Sequence, residues 1–545
     1  MMTARATPSG AVGSVEDRLG TFDHVVVLML ENRSFDNLLG YMYPHGVPPD
    51  APAGKTFDGV TGKDLSNPIP QNLAGSACGA PTSVSVSPTT DYFQPFPDPG
   101  EEYHHINTQL FNCINGGDKS PYNLPNPVPS RPGMQGFVTD YIETLKATGG
   151  PYKNPTYEQF KVIMDCFKPS AVPVLTGLAE EFAVFDHWFC SVPSQTWCNR
   201  CFWNAGTSWG HVNNGGAVND NSERWAEDSI GTTIFNQIED SGLRSPLNWK
   251  VYSSNLASLT GIIHFRALLP YHVFPDHFRR LESFYDDCER GKLPAYSFLE
   301  PNFWTPHNDM HPSSYDSKHY GPAAVGSVLL GEKLVWDVYN AVRRSASTKG
   351  NNSRNTLLII TFDEHGGCYD HVPPPPKVTP PDLSGYKKWS DFGFTRLGLR
   401  VPTVMVSAHI KKNTVINTPM EHCSFLKTMQ TKWNGVVPGK FPTLTRRQQH
   451  APEFTEVFTS PAARLASDWP ELPEPVIPDK FQEIDFSTAP LNDLQRSIVG
   501  AIAAIAEKQG MQVDPAKITT QNDALELMGS VPKLPGSEPT GKAGE

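Results

Sequence analysis

Polar side chains that could bind a metal follow two apolar runs of the sequence, at the point where each run ends. Glu31 and Asn32 follow the first run, and Asp363, Glu364 and His365 follow the second. Carboxylates gathered at one site repel each other unless a cation joins them, and oxygen ligands suit a hard divalent ion. The two motifs together therefore predict one divalent metal ion, of unspecified identity, bound by Glu31, Asn32, Asp363 and Glu364.

The two apolar runs must then be neighbours in the fold. Residues 22–30 and 357–362 are short and rich in β-branched side chains, as buried strands are. In an open α/β sheet the site lies outside the carboxyl ends of the strands, so motifs more than 300 positions apart can share one edge. Each motif alone would be ordinary turn polarity, and it is their common position that favours a metal.

Thr196 is the best candidate for a nucleophile beside such an ion, and for a further metal ligand. It opens a predicted helix over residues 196–208, where its hydroxyl gains from the helix dipole and from backbone N–H groups that also bind anions. A bound metal would lower the pKa of this hydroxyl further. Taken alone, Thr196 would be a plain N-cap.

Histidines could supply the acid chemistry of the site, by neutralising charge or by protonating a leaving group. The sequence has 17 of them, and most must be structural. The candidates that stand in polar segments are His104, His105, His311 and His371.

The elements that would hold these residues alternate between strands and helices along most of the chain. Helices are predicted over residues 134–148, 325–345 and 491–508, and a third strand within residues 400–410. This alternation predicts an α/β fold, with a central, mostly parallel sheet and helices on both faces.

Composition divides the chain into three parts. Residues 1–21 are predicted to be a flexible lead-in, residues 22–450 the main domain, and residues 451–545 an extension with a helix and a polar tail. Within the main domain, residues 41–130 are rich in Pro, Ser, Thr and Gly, and the stretch 81–100 excludes a long helix. We expect an ordered, Pro-rich cap insertion over the site.

Charge and composition limit the partners of the chain. Its net charge of −12 over 545 residues argues against a nucleic-acid surface, which needs clustered Lys and Arg. The CxxC of Cys198 and Cys201 has no second pair beside it, which favours buried thiols or a disulfide over a zinc site. Residues 1–20 show no export signal and the longest apolar stretches are too short to span a bilayer, so the sequence as given predicts a cytoplasmic chain.

Two long segments resemble the hallmark motifs of a known family. Residues 31–40, ENRSFDNLLG, and residues 362–375, FDEHGGCYDHVPPP, are similar to those of the bacterial, fungal and plant phosphoesterase family. That family contains phosphatidylcholine-preferring and non-specific phospholipases C and an acid phosphatase branch. Further motifs follow in the family's order, among them YSFLEPNF, NDMHP and EHCSFLK, so the resemblance extends over residues 22–430.

The resemblance implies an alkaline-phosphatase-like fold and assigns roles to the polar residues. Four side chains match the metal-binding positions of the family: Glu31, Asn32, Asp363 and Glu364. Thr196 matches the nucleophile, which in the family is a Ser or Thr before an Asn-Arg pair. Trp197 and Cys198 replace a His and a Pro of the usual family pattern, which alters the surroundings of the nucleophile.

Histidines carry the remaining roles that the resemblance implies. His105 and His311 match active-site histidines and are predicted to be catalytic, whereas His371 and His104 are predicted to bind substrate. Where relatives often have Pro-Gly-His, this chain has DPGEEYHH, so the choice between His104 and His105 stays open.

The activity implied by the resemblance is metal-dependent hydrolysis of phosphoric esters, of the phospholipase C type. Attack by Thr196 would release a phosphorylated head group from a phospholipid, and an acid phosphatase acting on phosphomonoesters at the same site is the alternative. A catalytically inactive binding protein is disfavoured, since every expected polar position is present. The implied partner is a phospholipid or a small phosphate ester, with transient contact to a membrane surface. Many relatives are secreted.

Overall fold

The architecture is taken from a computed structural model, which describes residues 13–52, 54–70, 81–115, 122–214, 225, 231–243, 248–272, 276–382, 392–532 and 534. The described strands are β1 (His24–Leu30), β2 (Ser66–Pro68), β3 (Ser83–Ser85), β4 (Ser87–Thr89), β5 (Asp165–Phe167), β6 (Ala183–Phe185), β7 (Trp188–Phe189), β8 (Trp249–Ser253), β9 (Phe278–Arg280), β10 (Tyr296–Glu300), β11 (Thr356–Phe362), β12 (Thr403–Val406), β13 (Thr414–Ile416) and β14 (Met420–Glu421).

Helices fill the chain between these strands. The described α-helices are α1 (Val15–Leu19), α2 (Phe35–Leu39), α3 (Tyr103–Phe111), α4 (Phe137–Thr148), α5 (Tyr157–Phe160), α6 (Pro173–Glu181), α7 (Thr196–Ala205), α8 (Ile234–Ser241), α9 (Leu259–Ile263), α10 (Phe265–His272), α11 (Glu282–Arg290), α12 (Ser317–Tyr320), α13 (Ser327–Arg344), α14 (His422–Val436), α15 (Arg446–His450), α16 (Asp493–Lys508) and α17 (Gln521–Ser530). Within the described part of the chain, no helix is long and apolar enough to cross a membrane.

An eight-stranded sheet forms the centre of the fold, in the order β13-β6-β12-β11-β1-β10-β8-β9. The strand β12 runs antiparallel to β11 and to β6, and the other pairings in this sheet are parallel. This result confirms the predicted α/β fold with a mostly parallel sheet, and it is consistent with the alkaline-phosphatase-like fold that the resemblance implies. The predicted third strand forms as β12, and it runs antiparallel to both of its neighbours.

Strand β1 lies inside the sheet between β11 and β10, and all seven of its residues are buried. Its parallel register with β11 pairs Val25 with Leu357 and Leu30 with Phe362. Strands covered on both faces need apolar side chains at every position, which explains the continuous apolar runs in the sequence. Because Leu30 and Phe362 are the paired last residues of their strands, the polar motifs that follow them leave the sheet side by side.

The lead-in to β1 is partly ordered. Residues 1–12 lie outside the described part, but α1 forms a helix whose Ser14 cap accepts from the Asp17 N–H and whose Leu19 is buried in the core. The Lys432 ammonium donates to the carbonyl oxygens of Leu19 and Phe22, at 2.6 and 2.5 Å. These contacts join residues 14–22 to the main domain.

The predicted insertion, residues 41–130, is ordered where it is described and lies against the main domain; residues 53, 71–80 and 116–121 are outside the described part. It contains β2, β3, β4 and α3. Helix α3 packs Ile106 and Leu110 into a core with Phe137 and Tyr141 of α4. This packing places residues 98–105, which precede and begin α3, in a fixed position.

The C-terminal extension packs onto the domain rather than standing apart from it. Leu494, Ile498 and Ile502 of α16 share a core with Trp197 and Phe202 of α7. Helix α16 therefore covers the outer side of the helix that begins with Thr196. Cys198 and Cys201 are buried in this core as thiols and form no disulfide. The predicted polar tail, residues 535–545, lies outside the described part.

Candidate active site

The ends of β1 and β11 bring the two predicted metal-binding motifs together. The backbone N–H of Asn32 donates to Oδ1 of Asp363 at 3.1 Å, and the N–H of Glu31 donates to the carbonyl oxygen of Asp309 at 2.7 Å. Glu31, Asn32, Asp363 and Asp309 have no exposed surface. The predicted pairing of residues more than 300 positions apart is therefore present in the structure.

Asn32 adopts a left-handed backbone conformation, with φ of 52°. Asparagine tolerates this region better than most residues. Its Nδ2 donates to the carboxylate of Glu101, which leaves Oδ1 facing the Thr196 hydroxyl at 3.4 Å. Gly366, at φ of 62°, allows the chain after β11 to pass closely, since a Cβ there would lie 2.1 Å from the carbonyl oxygen of Asn32.

Thr196 is the first residue of α7, and its hydroxyl lies 3.0 Å from Oε2 of Glu31. The N-cap position belongs to Gln195, so the reading of Thr196 as an N-cap is wrong. The turn before the helix is held by Asn199, whose side-chain N–H groups donate to the carbonyl oxygens of Val192, Ser194 and Gln195. The rigid turn aims the Thr196 hydroxyl at the strand ends.

Arg200 is the cation of this group, and no role in the site was predicted for it. It lies one turn after Thr196 on α7, is 1% exposed, and pairs with Glu31. Its Nη2 also donates to the carbonyl oxygen of Met29 at 3.1 Å, and its Nε lies 3.8 Å from Oδ2 of Asp363. The Asn-Arg pair of the sequence was the available signal, because Arg200 recurs on the same helical face as Thr196.

The carboxyl groups at the strand ends are more numerous than the cations beside them. Burial raises the pKa of Glu31 well above its usual range, against the charge of Arg200 and together with that of Asp363. Burial and the neighbouring Asp363 also raise the pKa of Glu364. Oδ2 of Asp363 and Oε1 of Glu364 are buried and have no hydrogen-bond partner. Oxygen atoms with unused lone pairs, gathered at one place, fit a hard divalent cation.

Glu101 joins the site from the insertion, and the sequence reasoning did not select it. Its carboxylate is 1% exposed and accepts from Nδ2 of Asn32, with Nε2 of Gln195 at 3.4 Å from the other oxygen. The only sequence signal is its position after Asp98, Pro99 and Gly100, where relatives often have Pro-Gly-His.

Of the four candidate histidines, His311 lies against this group. It is fully buried, its Nδ1 donates to the carbonyl oxygen of Pro312 at 3.0 Å, and its Nε2 lies 3.8 Å from Oε2 of Glu101. Its backbone N–H donates to Oδ1 of Asp309 at 2.9 Å, and the same oxygen lies 2.7 Å from Nδ1 of His307. Asp309, for which no role was predicted, thus fixes the segment that carries His311.

His105 and His104 lie on the first turn of α3. His105 pairs through Nδ1 with Asp140 at 2.8 Å; burial opposes its charge, but Asp140 raises its pKa to about 9. Gln109 donates to Asp140 through Nε2 and accepts from Nε2 of His365 at 2.7 Å. These hydrogen bonds join His105 to the loop after β11. Burial and the adjacent His105 lower the pKa of His104 to about 4, so the two histidines differ in charge at neutral pH.

His371 belongs to a second ionic cluster rather than to the Thr196 group. Arg400 pairs there with Asp36 at 2.8 Å and with Asp370 at 2.9 Å. His371 pairs through Nδ1 with Asp36 and through Nε2 with Asp58 of the insertion, at 2.5 and 3.1 Å. The cluster fastens the insertion to α2 and to the loop after β11. Within the described part of the chain, no hydrogen bond or ion pair joins His371 to Thr196.

Three groups of described side chains could hold a metal by their spacing alone: Glu102 with His104 and His105, Asp36 with Asp370 and His371, and Asp98 with Glu101 and His311. The second group already contains the Arg400 guanidinium, which occupies its carboxylates. The first is partly exposed and includes the charged His105. The third adjoins the predicted set through the contact between Asn32 and Glu101.

Comparison with known proteins finds similar sequences over most of the chain. The profile of the phosphoesterase family matches residues 22–437. Non-specific phospholipase C6 of Arabidopsis thaliana is 33% identical over 464 residues, which are 82% of this chain and 75% of that protein. Non-specific phospholipase C1 of the same plant is 31% identical over 488 residues, which are 86% of this chain and 75% of that protein. Phospholipase C B of Mycobacterium tuberculosis is 25% identical over 468 residues, 78% and 76%.

The second cluster predicts a pH dependence of stability. Burial opposes the charge of His371, but Asp36 and Asp58 raise its pKa to about 9, against the nearby Arg400. An unfolded histidine titrates near pH 6.5. The stabilisation is therefore complete below about pH 6.5 and is lost as the pH rises through about 9.

We expect His371→Gln to lower the free energy of unfolding by on the order of 3 kcal/mol at pH 6, and by much less at pH 9.5. Urea denaturation of the original protein and of His371→Gln at each pH measures the difference in free energy of unfolding. The contributions of titrating groups that both proteins share cancel in this difference. The exposed His319→Gln serves as a control that should change neither value. An equal loss for His371→Gln at the two pH values would contradict the assignment.

Proposed function

The chain belongs to the phosphoesterase family and is a phosphoric ester hydrolase, and we propose that it acts as a metal-dependent phospholipase C with Thr196 as its nucleophile. The observation that carries the proposal is the position of the Thr196 hydroxyl, 3.0 Å from Glu31 and 3.4 Å from Asn32, at the joined ends of β1 and β11. A helix N-terminus faces the same place, which suits the negative charge of a phosphoryl group.

The crowded carboxylates favour a phosphodiester over a phosphomonoester. A diester carries one negative charge, whereas a monoester carries close to two at neutral pH. The second charge of a monoester would be opposed by Glu31, Asp363, Glu364 and Glu101, which are all buried beside Thr196. The names of the similar proteins, each a phospholipase C, point to the same substrate class, a phospholipid.

The residues at the strand ends fit a divalent cation, held by Glu31, Asn32, Asp363 and Glu364 together with Thr196. Such an ion would offset the charge on the phosphoryl oxygens and lower the pKa of the Thr196 hydroxyl. In the structure, the Thr196 hydroxyl already donates to Oε2 of Glu31 at 3.0 Å. Glu31 is therefore positioned to accept the proton of Thr196, and Arg200 holds Glu31 in place.

The reaction proceeds in two displacements on phosphorus. In the first, Oγ1 of Thr196 forms a bond to phosphorus, its proton passes to Glu31, and the bond from phosphorus to the glycerol oxygen breaks. The departing diacylglycerol oxygen takes a proton from a histidine. In the second, water forms a bond to phosphorus and gives a proton to the histidine, while the bond from phosphorus to Oγ1 of Thr196 breaks. Oγ1 takes its proton back from Glu31, and the phosphorylated head group is released.

Of the two predicted catalytic histidines, we assign the proton transfer to His105, which the hydrogen bonds of Asp140 and Gln109 join to His365 in the loop after β11. Asp140 keeps its imidazole charged at neutral pH, so it holds the proton that an alkoxide needs. His311 has its N–H on the Pro312 side, and the nitrogen that faces the site is the bare one.

Thr196→Ala should lower kcat by about 10³-fold or more, since the attacking atom is removed. Thr196→Ser, the control, keeps a hydroxyl and should stay within about 10-fold of the original activity. Melting temperatures of the two variants check the fold, and mass spectrometry after acid quench should find phosphate on the peptide that contains Thr196. Near-normal activity of Thr196→Ala would rule out this nucleophile.

Substrate class is tested with two chromogenic esters. We expect kcat/KM for p-nitrophenyl phosphorylcholine to exceed that for p-nitrophenyl phosphate by about 10-fold or more, because the monoester brings an additional negative charge to the carboxylates. Vesicles of phosphatidylcholine should yield phosphocholine. A preference for the monoester would identify an acid phosphatase instead.

His105→Gln should lower turnover of phosphatidylcholine by about 10²-fold or more. It should have far less effect on p-nitrophenyl phosphorylcholine, since p-nitrophenolate, with a conjugate acid of pKa about 7, leaves without a proton. The neighbouring His104→Gln is the matched control: His104 is uncharged at neutral pH, so any loss of turnover that this variant causes should be the same for the two substrates. Equal losses for the two substrates would remove His105 from the role of proton donor.

A further inference from the structure

Three side chains from two separate segments converge beside the Thr196 group. Asp98 and Glu101 come from the insertion, and His311 comes from the segment after β10. Each offers one atom such that the three atoms lie within 4.8 Å of one another. Glu101 is 1% exposed and His311 is fully buried, while the side chain of Asp98 keeps 20% of its surface exposed. The group is therefore closed on the side of the protein and open to solvent at Asp98.

The hydrogen bonds of His311 decide which of its nitrogens faces this group. Nδ1 donates to the carbonyl oxygen of Pro312 at 3.0 Å, which fixes the proton on Nδ1. Nε2 then carries a lone pair, is buried, and has no hydrogen-bond partner. Histidines that bind metals commonly have this arrangement, with the second ring N–H donating to a backbone carbonyl.

The lone pair of His311 faces another acceptor. Nε2 lies 3.8 Å from Oε2 of Glu101, which is too long for a hydrogen bond. Oδ1 of Asp98 is likewise buried and without a partner, although it lies 3.7 Å from Nδ1 of His311. Two acceptors that face each other in a buried place repel unless a cation or a proton lies between them. Ligands of a tetrahedral ion with bonds of about 2.0–2.1 Å lie roughly 3.4 Å apart, near the 3.8 Å between Nε2 of His311 and Oε2 of Glu101.

We propose that Asp98, Glu101 and His311 form a second cation site, for a divalent transition metal such as Zn²⁺ or Mn²⁺, next to the site at the strand ends. An imidazole nitrogen together with two carboxylates suits these ions better than Ca²⁺ or Mg²⁺, which prefer oxygen alone. Glu101 ties the two sites together, because Asn32 donates to Glu101 with Nδ2 and presents Oδ1 to Thr196.

The charge of the region agrees with a second cation. Five fully buried carboxyl groups, those of Glu31, Glu101, Asp309, Asp363 and Glu364, lie in this region. The buried guanidinium groups that act on them are those of Arg33 and Arg200. Because these carboxyl groups outnumber the guanidinium groups, the region has acceptors for more than one divalent ion before a phosphate diester enters.

The catalytic use of the second cation rests on the function proposed above, whereas its binding does not. Positive charge at Glu101 and His311 would lie beside Thr196 and its substrate, and would stabilise the oxygen that leaves phosphorus. His311 then acts as a ligand and not as a proton donor, which leaves the donor role to His105.

Metal content measures the site directly. The full chain is stripped with a chelator, dialysed, loaded with ZnCl₂, passed through gel filtration and analysed by inductively coupled plasma mass spectrometry. We expect two Zn²⁺ per chain in the original protein and one in Glu101→Gln and His311→Gln. Glu101→His, which keeps a ligand, should again bind two. His104→Gln, from another candidate group, should also bind two.

Anomalous diffraction at the zinc edge on crystals of the loaded original protein makes the result independent of how the variants fold. A peak between Glu101 and His311 is the expected result. One Zn²⁺ per chain in the original protein would overturn the proposal and would mean that Glu101 and His311 share a proton instead. A second Zn²⁺ that is still bound by His311→Gln and Glu101→Gln would also overturn it. Retained hydrolysis of phosphatidylcholine with one ion per chain would overturn the second site alone, whereas absence of hydrolysis with two ions would overturn the proposed function alone.

Discussion

The parallel pairing of β1 with β11 is the constraint on which the rest of the site depends. Burial on both faces makes these strands apolar throughout, and their register sets Leu30 opposite Phe362. Glu31 and Asp363 must therefore leave the sheet as neighbours in a place without water. Like charges brought together there cost free energy, and the surroundings of the strand ends are built to offset that cost.

The local hydrogen bonds and ion pairs offset this electrostatic cost only in part. Arg200 pairs with Glu31, the N–H of Asn32 donates to Asp363, and the N–H of Gly366 donates to Glu364 at 2.7 Å. These donors hold the carboxylates in fixed orientations, yet they leave one oxygen of Asp363 and one of Glu364 without a partner. A protein that needed only stability would have filled these positions with apolar side chains. The unpaired oxygens of Asp363 and Glu364 have the chemistry of ligands for a hard cation.

Segments far from the sheet complete the enclosure of Thr196. Trp197 and Cys198, which depart from the usual family pattern, lie in the core that α7 shares with α16, and the Trp197 ring meets that of Trp225 at 5.6 Å. The insertion covers the other side with Glu101. Exclusion of water strengthens every electrostatic interaction in the site, including those with a phosphoryl group.

Sequence reasoning found what is local and missed what depends on tertiary contacts. The ends of β1 and β11 were predictable, because apolar runs that stop at carboxylates mark buried strands that reach a site. Glu101 and Asp309 were not, because their positions depend on how the insertion and the segment after β10 fold across the strand ends. The N-cap reading of Thr196 failed because Gln195 takes the extended cap conformation, with φ of −73° and ψ of 176°, while the Thr196 hydroxyl turns to Glu31. His371 resembled His311 in its sequence surroundings, and only the structure separates the two, by pairing His371 with Asp36 and Asp58.

The charge of the site also links the binding of cations to the binding of substrate. Under the proposed function, a phosphodiester that approaches Glu31, Asp363, Glu364 and Glu101 adds a negative charge to an existing excess. Each cation bound there lowers the cost of that entry, and by thermodynamic reciprocity the bound diester must tighten the hold on the cation. Cations bound at these carboxylates would in that case help the acidic chain, with its net charge of −12, to attract an anionic group. The carboxylates that oppose a bare phosphate would then make the bound cations a determinant of substrate affinity.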